Sequence, residues 1–307
     1  VRSMKSLKNK KFVVLGGTGF LGKVVLSSLL ESNAKVLLVS RDFNKIKEIE
    51  SLFSKDNLQT FQGNIFDKNF LTSLLNNVDG IINLCGILFE SKKDDFYRVH
   101  SELPTLLAEL CVNKNIMHLI HLSALGVSET SQSNYSKSKA EGERKLLSKF
   151  PSGKIIRPSI IYGDGDNFFG QFSKMASISP LLPLISGKTR FQPIFVKDVV
   201  KAIITILTNK NNNNIFELGG EKIYSFEELL NILFKARAIK RLLIPLNPKL
   251  MMIPAFFLQN LPNPPFTIDQ MRLLMNDNII QDKLPGLNDL GIKATDLIGE
   301  VTRIYGK

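Results

Sequence analysis

The sequence predicts an α/β fold: a doubly wound parallel sheet followed by a smaller, mixed, mostly helical C-terminal region. Three observations carry that expectation. Short apolar runs alternate with helical patterns from residue 11 to about residue 163, the texture of strand–helix–strand units. The first run, Lys11–Gly22 (KFVVLGGTGFLG), passes straight from an apolar strand into a glycine-rich turn and a helix start. From Asp164 onward, prolines cluster at Pro180, Pro183 and Pro193 and long strand patterns fade.

Gly16, Gly19 and Gly22 recur every third residue, with Thr18, Phe20 and Leu21 between them. Glycines there let the backbone turn tightly and approach a pyrophosphate, which then rests on the free N–H groups and positive dipole end of the following helix. Glycines also punctuate ordinary turns, so the context decides: the motif follows a strand, opens a helix to about Asn33 and heads a long α/β pattern. The fold expected is therefore Rossmann-type, with a nucleotide-binding domain over residues 1–163. A C-terminal region over 164–307 is expected to interleave with it around 190–220. The sequence contains no internal repeat.

Length and charge narrow the function. At 307 residues a sizeable core can form. The formal charge of +12, from 40 basic and 28 acidic side chains, favours anionic partners. The basic residues are dispersed and lack interleaved stacking aromatics, which disfavours nucleic acid. Cys85 and Cys111 form no disulfide framework, and His100, His118 and His121 form no metal-ligand cluster. No apolar run is long enough to span a bilayer. Nothing near the first residue has the pattern of a signal peptide, so the expected location is cytoplasmic, with peripheral attachment to the inner membrane; a removed leader would instead place it in the mitochondrial matrix.

Lys35–Ser40 reads as the second strand. An acidic residue at its end would bind a ribose 2′-hydroxyl, but Ser40 and Arg41 stand there, with Asp42 one step on. A hydroxyl and a guanidinium suit a 2′-phosphate, so NADPH is favoured over NADH; the alternative is a solvated Arg41 beside a helix-capping Asp42. A helix over 42–55 and a strand over Leu58–Gln62 follow. Asn64 and Asp67 then lie where adenine would pass, although Asp67 can equally cap a helix. A strand over Val78–Leu84 ends in Leu84, Cys85 and Gly86, where small residues allow close approach to a cofactor. A helix over 95–114 contains Pro104, which predicts a kink or a broken first turn.

The strand over Ile116–Ser123 delivers Ser123 at its carboxyl end, and Tyr135 and Lys139 follow on a helix to about Phe150. Spacing of four places the phenol and the amine on one helical face. The lysine can lower the phenol pKa and hold a ribose, while the serine orients a carbonyl. A strand over Lys154–Arg157 leads to Pro158, a further cofactor-side position. In the second half Phe168, Phe169, Phe191 and Gln192 are candidates to line a cleft, with core packing the alternative for the phenylalanines. Asp198 falls at a helix start, followed by a polar turn over 209–214, a strand over Ile215–Leu218 and a helix capped by Ser225. The stretch 242–266 is rich in Leu, Met, Ile and Phe, broken by prolines and almost uncharged. It is either a lid over the substrate cleft or a surface for a membrane or another subunit. Lys235, Arg237, Lys240 and Arg241 just before it would suit anionic headgroups.

Taken together, the glycine turn, Tyr135 with Lys139, Arg157-Pro158 and Val196-Lys-Asp-Val199 resemble the extended and atypical short-chain dehydrogenase/reductase superfamily. A narrower resemblance covers RPSIIYGDGDNFF (157–169), Phe191-Gln-Pro193 and LPGLNDLGI (284–292). These segments are similar to the 39 kDa (alpha subcomplex 9) nucleotide-binding accessory subunits of respiratory complex I and their bacterial relatives. That resemblance implies a tightly held NADPH, docking on the complex I peripheral arm and a role that is structural or regulatory. The presence of Ser123, Tyr135 and Lys139 together keeps open a free-standing NADP-dependent oxidoreductase or epimerase acting on a carbonyl or sugar-like substrate.

Overall fold

The computed structural model describes residues 7–54, 56–209, 212–259, 261, 264, 266–281 and 283–306. In chain order the nucleotide-binding half runs β1 (Lys11–Leu15), α1 (Phe20–Glu31), β2 (Lys35–Ser40), α2 (Phe43–Leu52), β3 (Leu58–Gln62), α3 (Lys68–Leu74) and β4 (Gly80–Asn83). It continues with α4 (Asp95–Tyr97), a π-helical turn (Arg98–Glu102), α5 (Leu103–Lys114), β5 (His118–Leu122), α6 (Asn134–Lys149) and β6 (Lys154–Pro158). The remainder is β7 (Ile161–Tyr162), α7 (Phe168–Ile178), β8 (Leu181–Ile185), β9 (Arg190–Phe191), β10 (Ile194–Phe195), α8 (Val196–Thr208) and β11 (Ile215–Leu218). The chain closes with β12 (Tyr224–Ser225), α9 (Phe226–Ala236), β13 (Leu242–Leu246), α10 (Pro248–Leu258), α11 (Ile268–Leu274) and α12 (Leu297–Tyr305).

Seven strands form one parallel sheet in the order β11-β6-β5-β4-β1-β2-β3. The order reverses between β1 and β4, the switch point at which open α/β sheets bind ligands. The unbroken apolar strands follow from burial on both faces. Phe12 and Val14 of β1 enter a core shared with Val25 and Leu29 of α1 and Val199 and Ile203 of α8. Their neighbours Val13 and Leu15 enter a second core with Leu71, Leu107, Cys111 and Leu146.

One expectation, the disturbance at Pro104, takes a specific form, and two others need correction. The helix expected over 95–114 is split: α4 passes into the π turn, and α5 begins with Pro104 in its first turn. Proline has no N–H to donate and clashes with the preceding turn, so one extra residue is looped out just before it. The second half also holds more strand than its pattern indicates. β8 and β13 pair in parallel, with Leu242 beside Leu181 and Pro245 beside Leu184. Pro183 and Pro245 read as breakers, but in a two-stranded ribbon half the N–H groups face outward, where proline costs nothing. The four basic residues before 242 are also not all free: Arg237 donates to Ser173 O and Arg241 Nε to Ala176 O (2.6 Å), which ties them to the carboxyl half of α7. Parts of two further expectations, Lys210 and Asn211 of the polar turn and Asn260, Pro262, Asn263 and Pro265 of the apolar stretch, lie outside the described residues.

Candidate functional site

The site opens at the carboxyl ends of β1, β4 and β5. Gly16 leaves β1 with φ +78°, a conformation that L side chains rarely adopt. A Cβ there would also stand 2.9 Å from the Leu84 carbonyl carbon. A Cβ on Gly22 would collide with Gly16 O, so α1 can pack this close to the turn only without a side chain. Gly19 is the N-cap of α1, with no side-chain cap and no acidic residue in the first turn. Among the described residues the Phe20, Leu21 and Gly22 N–H groups find no acceptor, and they carry the helix's positive end. Thr18, Phe20 and Leu21 line this turn.

At the carboxyl end of β2, Arg41 is exposed and its guanidinium forms no ion pair among the described residues. The Ser40 hydroxyl accepts from Asp42 N (3.2 Å), and Asp42 Oδ1 caps α2 by accepting from Asn44 N (2.9 Å) and Lys45 N (3.3 Å). One oxygen of the Asp42 carboxylate is thus engaged at the helix start. Asp67 likewise caps α3 through Oδ1, from Asn69 N (2.9 Å) and Phe70 N (3.1 Å). Asn64 Oδ1 accepts from Phe66 N (3.1 Å), which shapes the loop beneath.

At the other end, Lys139 is 3% exposed. Its Nζ donates to Leu122 O (3.3 Å) and lies 5.5 Å from the Tyr135 ring centre. Leu122 immediately precedes Ser123, whose Oγ is buried without a partner among the described residues. Burial pulls the Lys139 ammonium down to about 8, against the opposing pull of Glu143 and Cys85. Burial and the nearby Asp269 carboxylate raise the Tyr135 phenol. Burial also pushes the Cys85 thiol up to about 12, although Arg41 and Lys139 act the other way. Gly86 leaves space here: a methyl group on it would lie 3.7 Å from Lys139 Nζ and 3.8 Å from His100 Nε2. Pro158 closes β6, and its carbonyl accepts from Leu125 N (3.0 Å).

Several residues outside the sequence motifs complete the site. His100, inside the π turn, is fully buried. Its Nε2 accepts from Ile87 N (3.1 Å), so Nδ1 carries the proton towards Ser138 Oγ (3.0 Å). Burial and then Lys139 hold this imidazole neutral, near pKa 2. Its ring meets Tyr135 edge-on at 5.2 Å and stacks on Phe96 at 5.5 Å. Asn83 and His121 form a buried polar pair beside it (3.1 Å). Asp269 reaches in from α11 and accepts from Asn134 N and Ser133 Oγ, each at 2.7 Å. The only sequence hint of His100 is its place shortly before Pro104. Asp269 lies 134 residues from Tyr135 and carries no local signal. Phe169 and Phe191, candidates for the cleft, are core residues instead.

These features fit a dinucleotide: a bare helix terminus for phosphates, glycines where side chains would collide, and a buried hydroxyl with no protein partner. The comparisons agree with the fold. Residues 12–219 match the NAD dependent epimerase/dehydratase family, and the chain belongs to it. The "NADH dehydrogenase [ubiquinone] 1 alpha subcomplex subunit 9, mitochondrial" of Mus musculus is 30% identical over 92% of this chain and 76% of its own length. The "Ceramide reductase" of Caulobacter vibrioides is 27% identical over 62% of this chain and 59% of that protein. Among solved structures, MoeE5 in complex with UDP-glucuronic acid and NAD superposes with a TM-score of 0.72 at 16% identity, covering 96% of this chain and 97% of that one.

Proposed function

We propose that this protein is an NADPH-binding accessory or assembly protein of an NADH:ubiquinone oxidoreductase, seated by its C-terminal region at the membrane side of the peripheral arm. The similarity to alpha subcomplex 9 subunits supports the association. The observation that carries the docking is the outward face of α10, where Leu250, Ile253, Phe256 and Phe257 are 67%, 64%, 56% and 68% exposed. An apolar face of that kind on a basic protein favours either a partner subunit or the interfacial layer of an anionic membrane. No helix among the described residues is long and apolar enough to cross a membrane, and the attachment proposed is peripheral. It lies on the matrix face in a mitochondrion and on the cytoplasmic face in a bacterium.

Native pull-down and membrane fractionation test this reading. The tagged protein should co-sediment with complex I activity, and recovery solely as free soluble protein would overturn it. In the nucleotide site, Gly16–Gly22 would take the pyrophosphate, Arg41 and Ser40 the 2′-phosphate, and Lys139 the nicotinamide ribose.

A second reading, an NADP-dependent oxidoreductase or epimerase, draws on the neighbouring positions of Lys139, Tyr135 and the unpartnered Ser123 hydroxyl. Bound nucleotide would supply the hydride acceptor or donor. Ser123 Oγ–H would donate to a substrate carbonyl oxygen, and the Tyr135 hydroxyl would give that oxygen its proton or take it back. Lys139 would hold the ribose while its charge favours loss of the phenol proton. Turnover that survives Tyr135→Phe unchanged rejects this chemistry.

A further inference from the structure

Tyr135 is the second residue of α6, and a helix terminus is a place where charge matters. The first three N–H groups of that helix are accounted for. Asn134 N donates to Asp269 Oδ1 (2.7 Å) and Tyr135 N to Asp269 Oδ2 (3.2 Å). Ser136 N donates to Ser133 Oγ (3.2 Å), and the Ser133 hydroxyl in turn donates to Asp269 Oδ2 (2.7 Å). One carboxylate from the C-terminal region therefore closes a helix that belongs to the nucleotide-binding half. The same helix α11 is fixed on both sides of that contact. Arg272 NH1 donates to Gln132 O (3.0 Å), and Gln270 Nε2 donates to Leu88 O (3.3 Å), beyond the Cys85–Gly86 turn. Its opposite side packs Met271 and Ile268 against Ala255 and Met251 of α10.

We propose that Asp269 is a positioning residue for Tyr135: it closes the positive end of α6 and cancels the field that would otherwise favour a phenolate there. An uncapped helix terminus stabilises a nearby anion, and a carboxylate hydrogen-bonded to its N–H groups removes that benefit. The titratable groups around Tyr135 are Lys139 on its own helix, neutral His100 from the π turn and Asp269 from α11, while Cys85 from the end of β4 acts on Lys139. Of these, Lys139 favours the phenolate and Asp269 opposes it. Burial first and Asp269 second keep Tyr135 a proton donor, the form needed to complete reduction of a carbonyl rather than oxidation of an alcohol. This rests on Tyr135 being the acid–base group of the second reading above. It also links the site to α10, because α10 and α11 share one small core.

The test places a difluorotyrosine at position 135 of the full chain and follows its ionisation by fluorine NMR. Asp269→Asn should move the titration to lower pH by about half a unit or more, a threefold or larger rise in the ionisation constant. Asp269→Ser, which keeps a capping oxygen without the charge, serves if Asp269→Asn does not fold. Ser133→Ala removes a cap while leaving the carboxylate, and should leave the titration in place. A titration unmoved in the folded neutral variant overturns the proposal, as does an equal shift in Ser133→Ala. Unchanged hydride transfer in Tyr135→Phe would instead reject the acid–base reading, while the fluorine shift would still establish the electrostatic effect of Asp269.

Discussion

Two helix N-termini face the same cleft, and the protein treats them in opposite ways. The start of α1 has a glycine N-cap, no side-chain cap and no acid in its first turn. At the start of α6, three backbone N–H groups are bound by Ser133 and Asp269. A terminus left open is one that a ligand's own negative charge completes, whereas a closed one serves geometry. The contrast indicates where nucleotide phosphate belongs. Burial and then the Asp269 carboxylate oppose ionisation of the phenol beside the closed terminus.

The largest expected effect comes from filling the open terminus. Gly16→Val puts a branched side chain at φ +78° and against the Leu84 backbone. Nucleotide affinity measured by calorimetry should fall by about a hundredfold or more, the equivalent of about 3 kcal/mol of strain and lost contact. Unimpaired binding would break the comparison. Next is Arg41→Ala. Loss of a charge-assisted contact to a 2′-phosphate should weaken NADPH by about tenfold to a hundredfold and leave NADH nearly unchanged, as read by fluorescence titration. Equal loss for both nucleotides would remove Arg41 from 2′-phosphate recognition.

Lys139→Met sharpens the other side of the cleft. Because burial lowers Lys139 from 10.5 to about 8, the folded chain binds fewer protons than the unfolded chain between those values. Stability from this group therefore rises with pH across that window, and the cost of burying the charge is fully felt below about 8. Lys139→Met should raise the apo melting temperature at neutral pH by a few degrees, flatten that pH dependence and weaken nucleotide binding. A lower melting temperature would mean that the ammonium is well compensated where it sits.

Much of the sheet is legible in the residues themselves. β2 and β11 occupy the spans their apolar runs mark, because buried strands leave little choice of residue, and β3, an edge strand with Gln59 and Gln62 exposed, also lies where its pattern places it. The glycine turn is legible because backbone crowding permits nothing else at Gly22. Asp42 and Asp67 can be read as caps, and they are. The β8–β13 ribbon is hidden by prolines that only an outward-facing N–H tolerates. Pro104 signals a disturbance in its helix but not that it takes the form of a π turn. His100 and Asp269 are illegible because their roles depend on long-range packing: a buried ring between the Ile87 backbone and helix α6, and a carboxylate delivered from a distant helix. Sequence periodicity carries no information about such meetings.

If the open end of α1 keeps a phosphorylated dinucleotide, native mass spectrometry of the purified full chain will show a species heavier by one NADPH per chain, absent from Gly16→Val and depleted in Arg41→Ala. A bare-chain mass that stays unchanged when NADPH is added would contradict it.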